Sequence, residues 1–302
     1  MSSLKFALIT AAALAVLAGP AAQAQTKPAT ATPIQQVFGR APAVTGDVQR
    51  FSFPRSDLNV TLDGVKVQTG LAFGGWLAFR PMGGANHWEV MGDLVLTQDE
   101  VEPVLKTLVA GGLTITALHN HLLRSQPFVM YAHVHGMGDP VAMAKTLKAA
   151  LALTKTPTAP PGPPPTTTSV DRAGLERIMG RKSTLGGGGV VQFSIPRAQP
   201  ITEEGKPIPG PMGVTTGINF QAAGAGKVAS TGDFILTGDE VEPVVAALTK
   251  GGVEVTALHS HMVGEQPRTF FMHFWSVGAP DQVAGTLKKA VDLTKSQAPS
   301  SK

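Results

Sequence analysis

Apolar and polar residues alternate along residues 113–121, which is typical of a β-strand with one buried face. The preceding segment, 97–110, instead places apolar residues at helical spacing. Thr97 and Glu100 form a capping-box pattern at its start. Because Pro103 disrupts a helix interior, we expect this helix to begin one or two residues later than the box suggests. The pattern therefore predicts a helix followed by a half-buried strand.

Other segments complete the same structural unit. Strand-like patterns occupy residues 59–62, 71–79, 93–96 and 129–134. Asp139-Pro140 is typical of a helix start, with proline at the first helical position. The resulting order, β-α-β-β-α, predicts an α+β fold in which an antiparallel sheet carries helices on one face. A ferredoxin-like sandwich is one topology with this order.

The pattern occurs twice in the chain. Residues 92–155 and 232–295 share about half of their residues, and FSFPR at 51–55 corresponds to FSIPR at 193–197. Each copy alone is small, so we expect the copies to pack together about a pseudo-two-fold axis. The predicted organisation is a first repeat domain (32–155), a Pro/Thr-rich linker (156–168) and a second repeat domain (169–296).

The N-terminus is typical of a secretory signal peptide. Lys5 precedes an apolar run, and Ala22-Gln23-Ala24 supplies small residues before a cleavage point. We predict that residues 1–24 are removed near Ala24, which would leave a periplasmic or secreted protein. The chain has no cysteine, so disulfides cannot stabilise it. No later segment is apolar for long enough to predict a membrane span.

The charge distribution narrows the class of partner. The formal net charge of +4 is spread along the chain without Lys/Arg clusters. That distribution argues against nucleic acid as a partner. The expected partners are a small ligand or a component of the cell envelope, besides the packing of one repeat on the other.

Three histidines recur with one spacing, 140 positions apart in the two copies. They are His119, His121 and His133 in the first copy and His259, His261 and His273 in the second. Residues two apart on a strand point the same way, and the third histidine returns on the next strand. We therefore predict a divalent metal site in each copy, with zinc as the first expectation and copper or iron as alternatives. A metal-free acid–base role and purely structural histidines are the other interpretations.

Two polar residues accompany the second triplet only. Glu265 is a candidate fourth ligand or catalytic base, and Arg268 is a candidate for binding an anionic substrate; the first copy has Ser125 and Phe128 there. A loop carboxylate is an equal explanation for Glu265. The simplest enzymatic hypothesis is a hydrolase that uses metal-bound water, with the second copy as the better site. The alternative is a non-enzymatic binding module.

Three further residues are weaker candidates. Asp93 and Asp233 stand at the start of equivalent predicted strands, where a carboxylate could orient a histidine ring or simply form a turn. His135 has Trp275 as its counterpart in the second copy, so we interpret His135 as incidental to the site.

The stretch GDLVLTQDEVEPVLKTLVAGGLTITALHNHLL and its counterpart GDFILTGDEVEPVVAALTKGGVEVTALHSHMV resemble the LppY/LpqO family. This is an exported bacterial family with a domain of unknown function. FSFPRSDLNVTLDGV and EQPRTFFMHFW extend the resemblance over nearly all of both copies, with Glu265, Arg268 and His273 at family positions. The resemblance implies two tandem domains and no particular activity. Several members are lipoproteins, but this chain lacks the required cysteine.

Overall fold

Each repeat folds into a six-stranded antiparallel sheet with helices on one face, which confirms the predicted α+β class. The computed structural model describes residues 32–84, 86–163 and 165–298, and the predicted signal peptide lies outside them. The described residues group into one compact unit, so the repeats are packed together. In this described part of the chain, no helix has the length and apolar character needed to cross a membrane.

The strands of the first repeat lie in the order β1-β2-β5-β6-β8-β7, with β3 and β4 forming a separate hairpin. Its elements are α1 (Pro33–Phe38), β1 (Ala43–Thr45), β2 (Val48–Pro54), β3 (Thr61–Leu62), β4 (Val65–Lys66), α2 (Thr69–Ala72), β5 (Gly74–Pro81), β6 (Trp88–Thr97), α3 (Gln98–Ala110), β7 (Thr114–His119), β8 (Val129–Gly138) and α4 (Pro140–Leu151).

The second repeat repeats this arrangement in the order β9-β10-β13-β14-β16-β15, with a β11–β12 hairpin. Its elements are α5 (Arg172–Met179), β9 (Thr184–Gly186), β10 (Val190–Pro196), β11 (Thr202–Glu203), β12 (Lys206–Pro207), β13 (Thr215–Gly224), β14 (Lys227–Thr237), α6 (Gly238–Lys250), β15 (Glu254–His259), β16 (Thr269–Gly278) and α7 (Pro280–Val291). Short 3₁₀ turns cover Gly187–Gly189 and Gly210–Met212.

The strand order differs from a ferredoxin-like sandwich in one respect. The segment β6-α3-β7-β8-α4 places β8 between β6 and β7, as that topology requires. The strand on the other side of β6 is β5, which precedes β6 in the chain rather than following α4. After α4 the chain enters the linker.

Helix α3 begins at Gln98, directly after the N-cap residue Thr97 of the capping box, so the expectation of a later start was wrong. The Glu100 side chain accepts a hydrogen bond from the Thr97 backbone N–H at 2.9 Å. It also receives the buried Arg55 guanidinium at 2.6 Å. These bonds fix the first turn, and they outweigh the single backbone bond that Pro103 removes. Arg55 is the arginine of the FSFPR motif, which therefore has a structural role.

Each repeat extends its small hairpin onto the other repeat, while Thr61 and Thr202 keep the hairpins bridged to Gln126 and Gln266 of their own repeats. The first hairpin reaches the second repeat, where Gln221 Nε2 donates to the Lys66 carbonyl at 2.9 Å. The second hairpin reaches the first repeat, where Lys206 Nζ donates to the Met82 carbonyl at 2.8 Å. Both interface cores accordingly mix residues of the two repeats. Gly70 lies so close to the Gly187 backbone that a Cβ would come within 2.3 Å of its carbonyl oxygen.

Candidate metal centre

The first two histidines of each triplet lie where a sheet edge meets the other repeat. His119 is the last residue of β7, and His121 lies beyond the strand end, so the strand ends two residues earlier than predicted. Hydrogen bonds across the repeats hold this segment: the Asn120 amide donates to the Thr256 carbonyl at 3.1 Å. The Thr256 hydroxyl in turn donates to the His121 carbonyl at 2.5 Å. Contact between the repeats therefore sets the positions of these histidines.

The two triplets form one cluster rather than two separate sites. The rings of His119 and His259, which are equivalent residues, stack with centroids 3.5 Å apart. The His121 ring lies 3.8 Å from that of His273. The corresponding pair, His261 with His133, is 3.5 Å apart. Equivalent contacts thus occur on both sides of a pseudo-two-fold axis, and each repeat contributes half of the imidazoles. We call the six histidines, with Asp93 and Asp233, the histidine centre.

Aromatic rings from the following strands support the second histidine of each triplet. The His121 ring stacks on Tyr131 at 3.4 Å with an interplanar angle of 1°. His261 stacks on Phe271 at 3.4 Å and 12°. These contacts restrict ring rotation, so the nitrogens of both histidines are held in fixed directions.

Several ring nitrogens of the centre are buried with no hydrogen-bond partner among the described residues. They are the Nε2 atoms of His119, His121, His133 and His261. The Asp93 Oδ1 atom is buried and unpartnered in the same way. Leaving a polar atom buried and unpaired costs about 1–3 kcal/mol, so five such atoms in one cluster need a physical explanation.

A close pair of nitrogens gives the same indication. His259 Nε2 lies 2.9 Å from His273 Nε2. The Nδ1 atom of His259 faces the Ser260 carbonyl at 3.2 Å, and that of His273 faces the Gly232 carbonyl at 3.2 Å and lies 2.8 Å from an Asp233 carboxylate oxygen. Those oxygens only accept, so Nδ1 carries the hydrogen in both rings and both Nε2 atoms present lone pairs. A cation between them removes the repulsion, and two nitrogens bound to one ion at 2.0–2.1 Å lie about 3 Å apart.

The two carboxylates face the histidines from neighbouring strands. Asp93 pairs with His133 across β6 and β8, and its oxygens lie 3.7 Å from His133 Nε2 and 4.0 Å from His121 Nε2. Asp233 pairs with His273 in the same register. Asp233 thus orients a ring, one of the two roles considered from sequence. Burial, followed by the charge of Asp233, raises the pKa of Asp93 well above its usual range.

Burial also determines the protonation of the imidazoles. It lowers the pKa of His119, His121, His133 and His261, and the charges of neighbouring histidines lower these pKa values further. Burial and the charge of His273 lower the pKa of His259 to about 4. These five rings are therefore neutral near pH 7, which is the form that binds metal ions.

Within the histidine centre, two groups of ligand atoms are close enough to hold an ion. One nitrogen from each of His119, His259, His261 and His273 lies within 4.8 Å of the others, and His121, Asp233 and His273 form a second group with the same limit. Both groups combine residues of the two repeats. The sequence predicted one site in each repeat, whereas these groups mix the repeats, because strand periodicity carries no information about how the repeats pack.

Glu265 and Arg268 hold the loop before β16. Glu265 is fully buried, and its Oε1 accepts hydrogen bonds from the Thr269 backbone N–H at 2.9 Å and hydroxyl at 3.1 Å. Arg268 donates to the Met262 and Val263 carbonyls, and its Nη1 lies 3.6 Å from Glu265 Oε2. Neither residue belongs to a group of candidate ligands among the described residues.

A cluster of charged residues next to the centre was missed from sequence. Arg80 and His135 both bind the buried Glu89 side chain, with His135 Nε2 3.2 Å from Glu89 Oε1. Glu203 comes from the β11–β12 hairpin, which extends from the second repeat onto the first. Its ligand atom lies within 4.8 Å of those of Glu89 and His135. His135 is therefore part of this cluster rather than incidental. A comparison of the repeats could have found it, since Leu62 stands where the second repeat has Glu203.

Comparisons with known proteins give a family and no activity. No curated protein matches the chain. Among solved structures, the chain is similar to the trimeric bacterial microcompartment shell protein PduB, with 13% identity, 84% of this chain and 89% of that chain covered, and a TM-score of 0.22. It is also similar to the double-ringed trimeric shell protein MSM0271 of the RMM microcompartment, with 12% identity, 82% and 96% coverage, and a TM-score of 0.20. Residues 32–153 and 173–293 each match the family described as Domain of Unknown Function (DUF1259), and the chain belongs to that family as a tandem of two copies.

Proposed function

We propose that the chain is an exported metal-binding protein of the LppY/LpqO type, in which both repeats build one shared metal centre. The observation that carries this proposal is the set of four buried, unpartnered Nε2 atoms from two repeats. Cation binding would give partners to His119 and His261 in one ligand group and to His121 in the other, and His133 lies next to the first group, with its ring 3.5 Å from that of His261. Imidazoles with carboxylates suit zinc, and copper or iron are the alternatives.

The first experiment is elemental analysis of the protein purified without a histidine tag, together with the variants His121→Ala and His261→Ala. A shared centre predicts bound metal in the wild type and a similar loss, of more than half, in both variants. His87→Ala is the matched control, because His87 is exposed and lies outside the centre. If each variant kept half of the metal, the sites would be independent. If the wild type contained no metal and did not bind added Zn²⁺, Cu²⁺ or Fe²⁺, the histidines would have a structural role only.

Hydrolysis is the enzymatic use of such a centre that we propose, with a non-enzymatic ligand-binding module of the cell envelope as the alternative. The proposed catalytic carboxylate is Glu265, which keeps Oε2 unpartnered, and the proposed anion-binding residue is Arg268. Glu265→Gln separates the two roles. A variant with full metal content and lost ester or phosphoester hydrolysis would support catalysis. A variant with a lower melting temperature, and no hydrolysis in the wild type either, would assign Glu265 to the loop and favour the binding module.

Export is the third part of the proposal. It is supported by the sequence of residues 1–24, with its basic start, apolar run and small residues before the cleavage point. Intact-mass measurement of the protein from a periplasmic extract should give a chain that begins at Gln25. A full-length chain confined to the cytoplasmic fraction would refute export and leave the metal proposal intact.

A further inference from the structure

The interface between the repeats has two equivalent sides, and they differ in charge. On one side, which we call the charged side, five ionisable residues come together: Arg80, Glu89, His135, Glu203 and Glu265. Their counterparts on the uncharged side, in the same order, are Gln221, Ala229, Trp275, Leu62 and Ser125. Leu62, Ala229 and Trp275 belong to one apolar core there. The fold therefore forms without charges at these positions.

A cavity of about 20 Å³ joins the charged side to the histidine centre. Glu203 and His135 line it together with His133 and His261, and Met212 and Phe271 are among its apolar walls. This volume suffices for one water molecule or one ion. Both His133 and His261 are at least nine-tenths buried and have unpartnered Nε2 atoms. The cavity thus connects free ligand atoms of the centre with a carboxylate at the interface.

The ionisable groups beside this cavity suit a cation. Glu89, His135 and Glu203 bring ligand atoms within 4.8 Å of one another, and the Glu203 Oε2 atom is buried without a partner among the described residues. Arg80 opposes them with one positive charge, but it is bound to Glu89 and to the Pro207 carbonyl. Carboxylates that outnumber cations concentrate positive ions in a cleft.

We propose that the charged side is the uptake port of the centre: a divalent transition-metal ion binds transiently to Glu203, His135 and Glu89, and then passes through the cavity to His133 and His261. This proposal rests on the proposed metal-binding function. It assigns Glu203 a kinetic role, so that loss of its carboxylate slows metal uptake without changing how much metal the centre holds at equilibrium.

The test measures the rate of Co²⁺ uptake by metal-free protein, followed by the visible absorption of the imidazole-bound ion. Glu203→Leu and His135→Trp introduce the residues that the uncharged side already accommodates, and Glu203→Gln serves if the leucine variant fails to fold. We expect each to slow uptake at least about tenfold, the lower end of electrostatic steering effects, with an unchanged final spectrum and stoichiometry. Glu204→Gln is the control, since it removes a charge from the same turn at an exposed residue.

The possible outcomes distinguish a failure of the uptake-port proposal from a failure of the proposed metal-binding function. Unchanged uptake in Glu203→Leu overturns the port, and so does equal slowing in Glu204→Gln, which indicates general charge attraction. Loss of one bound ion in Glu203→Leu shows a resident metal site instead and also overturns it. A wild type that binds no metal refutes the proposed function itself.

Discussion

The charged and uncharged sides of the interface show how one fold accommodates two chemistries at equivalent positions. On the uncharged side, Trp275 and Leu62 fill the space with apolar surface, and Trp275 Nε1 donates to Asp63 at 3.1 Å. On the charged side, His135 and Glu203 occupy the same positions and line a cavity. Burying ionisable groups brings little stability compared with apolar residues of similar size. The comparison shows that the charges are not needed for the fold at these positions.

The largest expected effect is that of pH on the metal-free protein. The pKa values of five centre histidines are lowered on folding, mainly by burial: His119, His121, His133, His259 and His261. In the unfolded chain they take up protons below about pH 6.5, so their contribution is present at pH 7 and is lost as the pH falls. We expect the free energy of unfolding to decrease by at least about 4 kcal/mol between pH 7 and pH 5, measured with urea.

His135 should respond in the opposite direction. Burial alone would lower the pKa of His135, but its hydrogen bond to Glu89 and the charge of Glu203 raise it overall. Its contribution is therefore present at low pH and is lost as the pH rises through the folded pKa. His135→Trp should steepen the loss of stability at pH 5. A variant with a shallower pH profile would contradict this assignment.

A charge placed on the uncharged side should be the next largest effect. Leu62 is 1% exposed within the apolar core, so Leu62→Glu buries a carboxylate without a partner. We expect a loss of about 3–5 kcal/mol in the free energy of unfolding. The reverse change, Glu203→Leu, should stay within about 1 kcal/mol of the wild type, since apolar replacement of buried charge is often neutral. Equal destabilisation by the two would remove the distinction between the sides.

Alanine substitution at the equivalent positions 275 and 135 should give a smaller difference in the free energy of unfolding. Trp275→Ala removes a large side chain that is 3% exposed, and should cost about 3 kcal/mol through lost burial and a cavity. His135→Ala removes one hydrogen bond to Glu89, which keeps Arg80, and should cost about 1 kcal/mol. Thermal unfolding of both variants measures the difference, and a His135→Ala cost as large as that of Trp275→Ala would contradict it.

Sequence reasoning found the elements and residues whose signals are local. The spacing of His119, His121 and His133 follows from strand periodicity and a hairpin return, and both are visible in one copy. The merging of the triplets depends on how β7 and β15 meet, for which neither copy alone contains a signal. The proximity of Glu203 to His135 is harder still to predict, because it depends on the hairpin of the second repeat packing on the first repeat.

The prediction of where α3 begins was wrong for a different reason: the helix begins at Gln98, not one or two residues later. The rule against proline in a helix considers the helix alone. Here Arg55, which directly follows β2 and lies 45 positions before Glu100, binds Glu100 and stabilises the first turn. A tertiary contact thus outweighed a local propensity, and the repetition of the same pairing by Arg197 and Glu240 shows that it belongs to the repeat.

The contact of each hairpin with the opposite repeat has a consequence for how such a centre is assembled. Each repeat contains three of the six imidazoles and extends its hairpin onto the other repeat, so one copy alone cannot complete the histidine centre. A chain with a single copy would have to form a homodimer to build the same centre, and the centre would then depend on protein concentration. Here the linker, whose first residues are held by Arg40 through the Pro157 and Thr158 carbonyls, makes the encounter intramolecular. The covalent connection fixes the effective concentration of one repeat around the other, so assembly of the centre is independent of dilution.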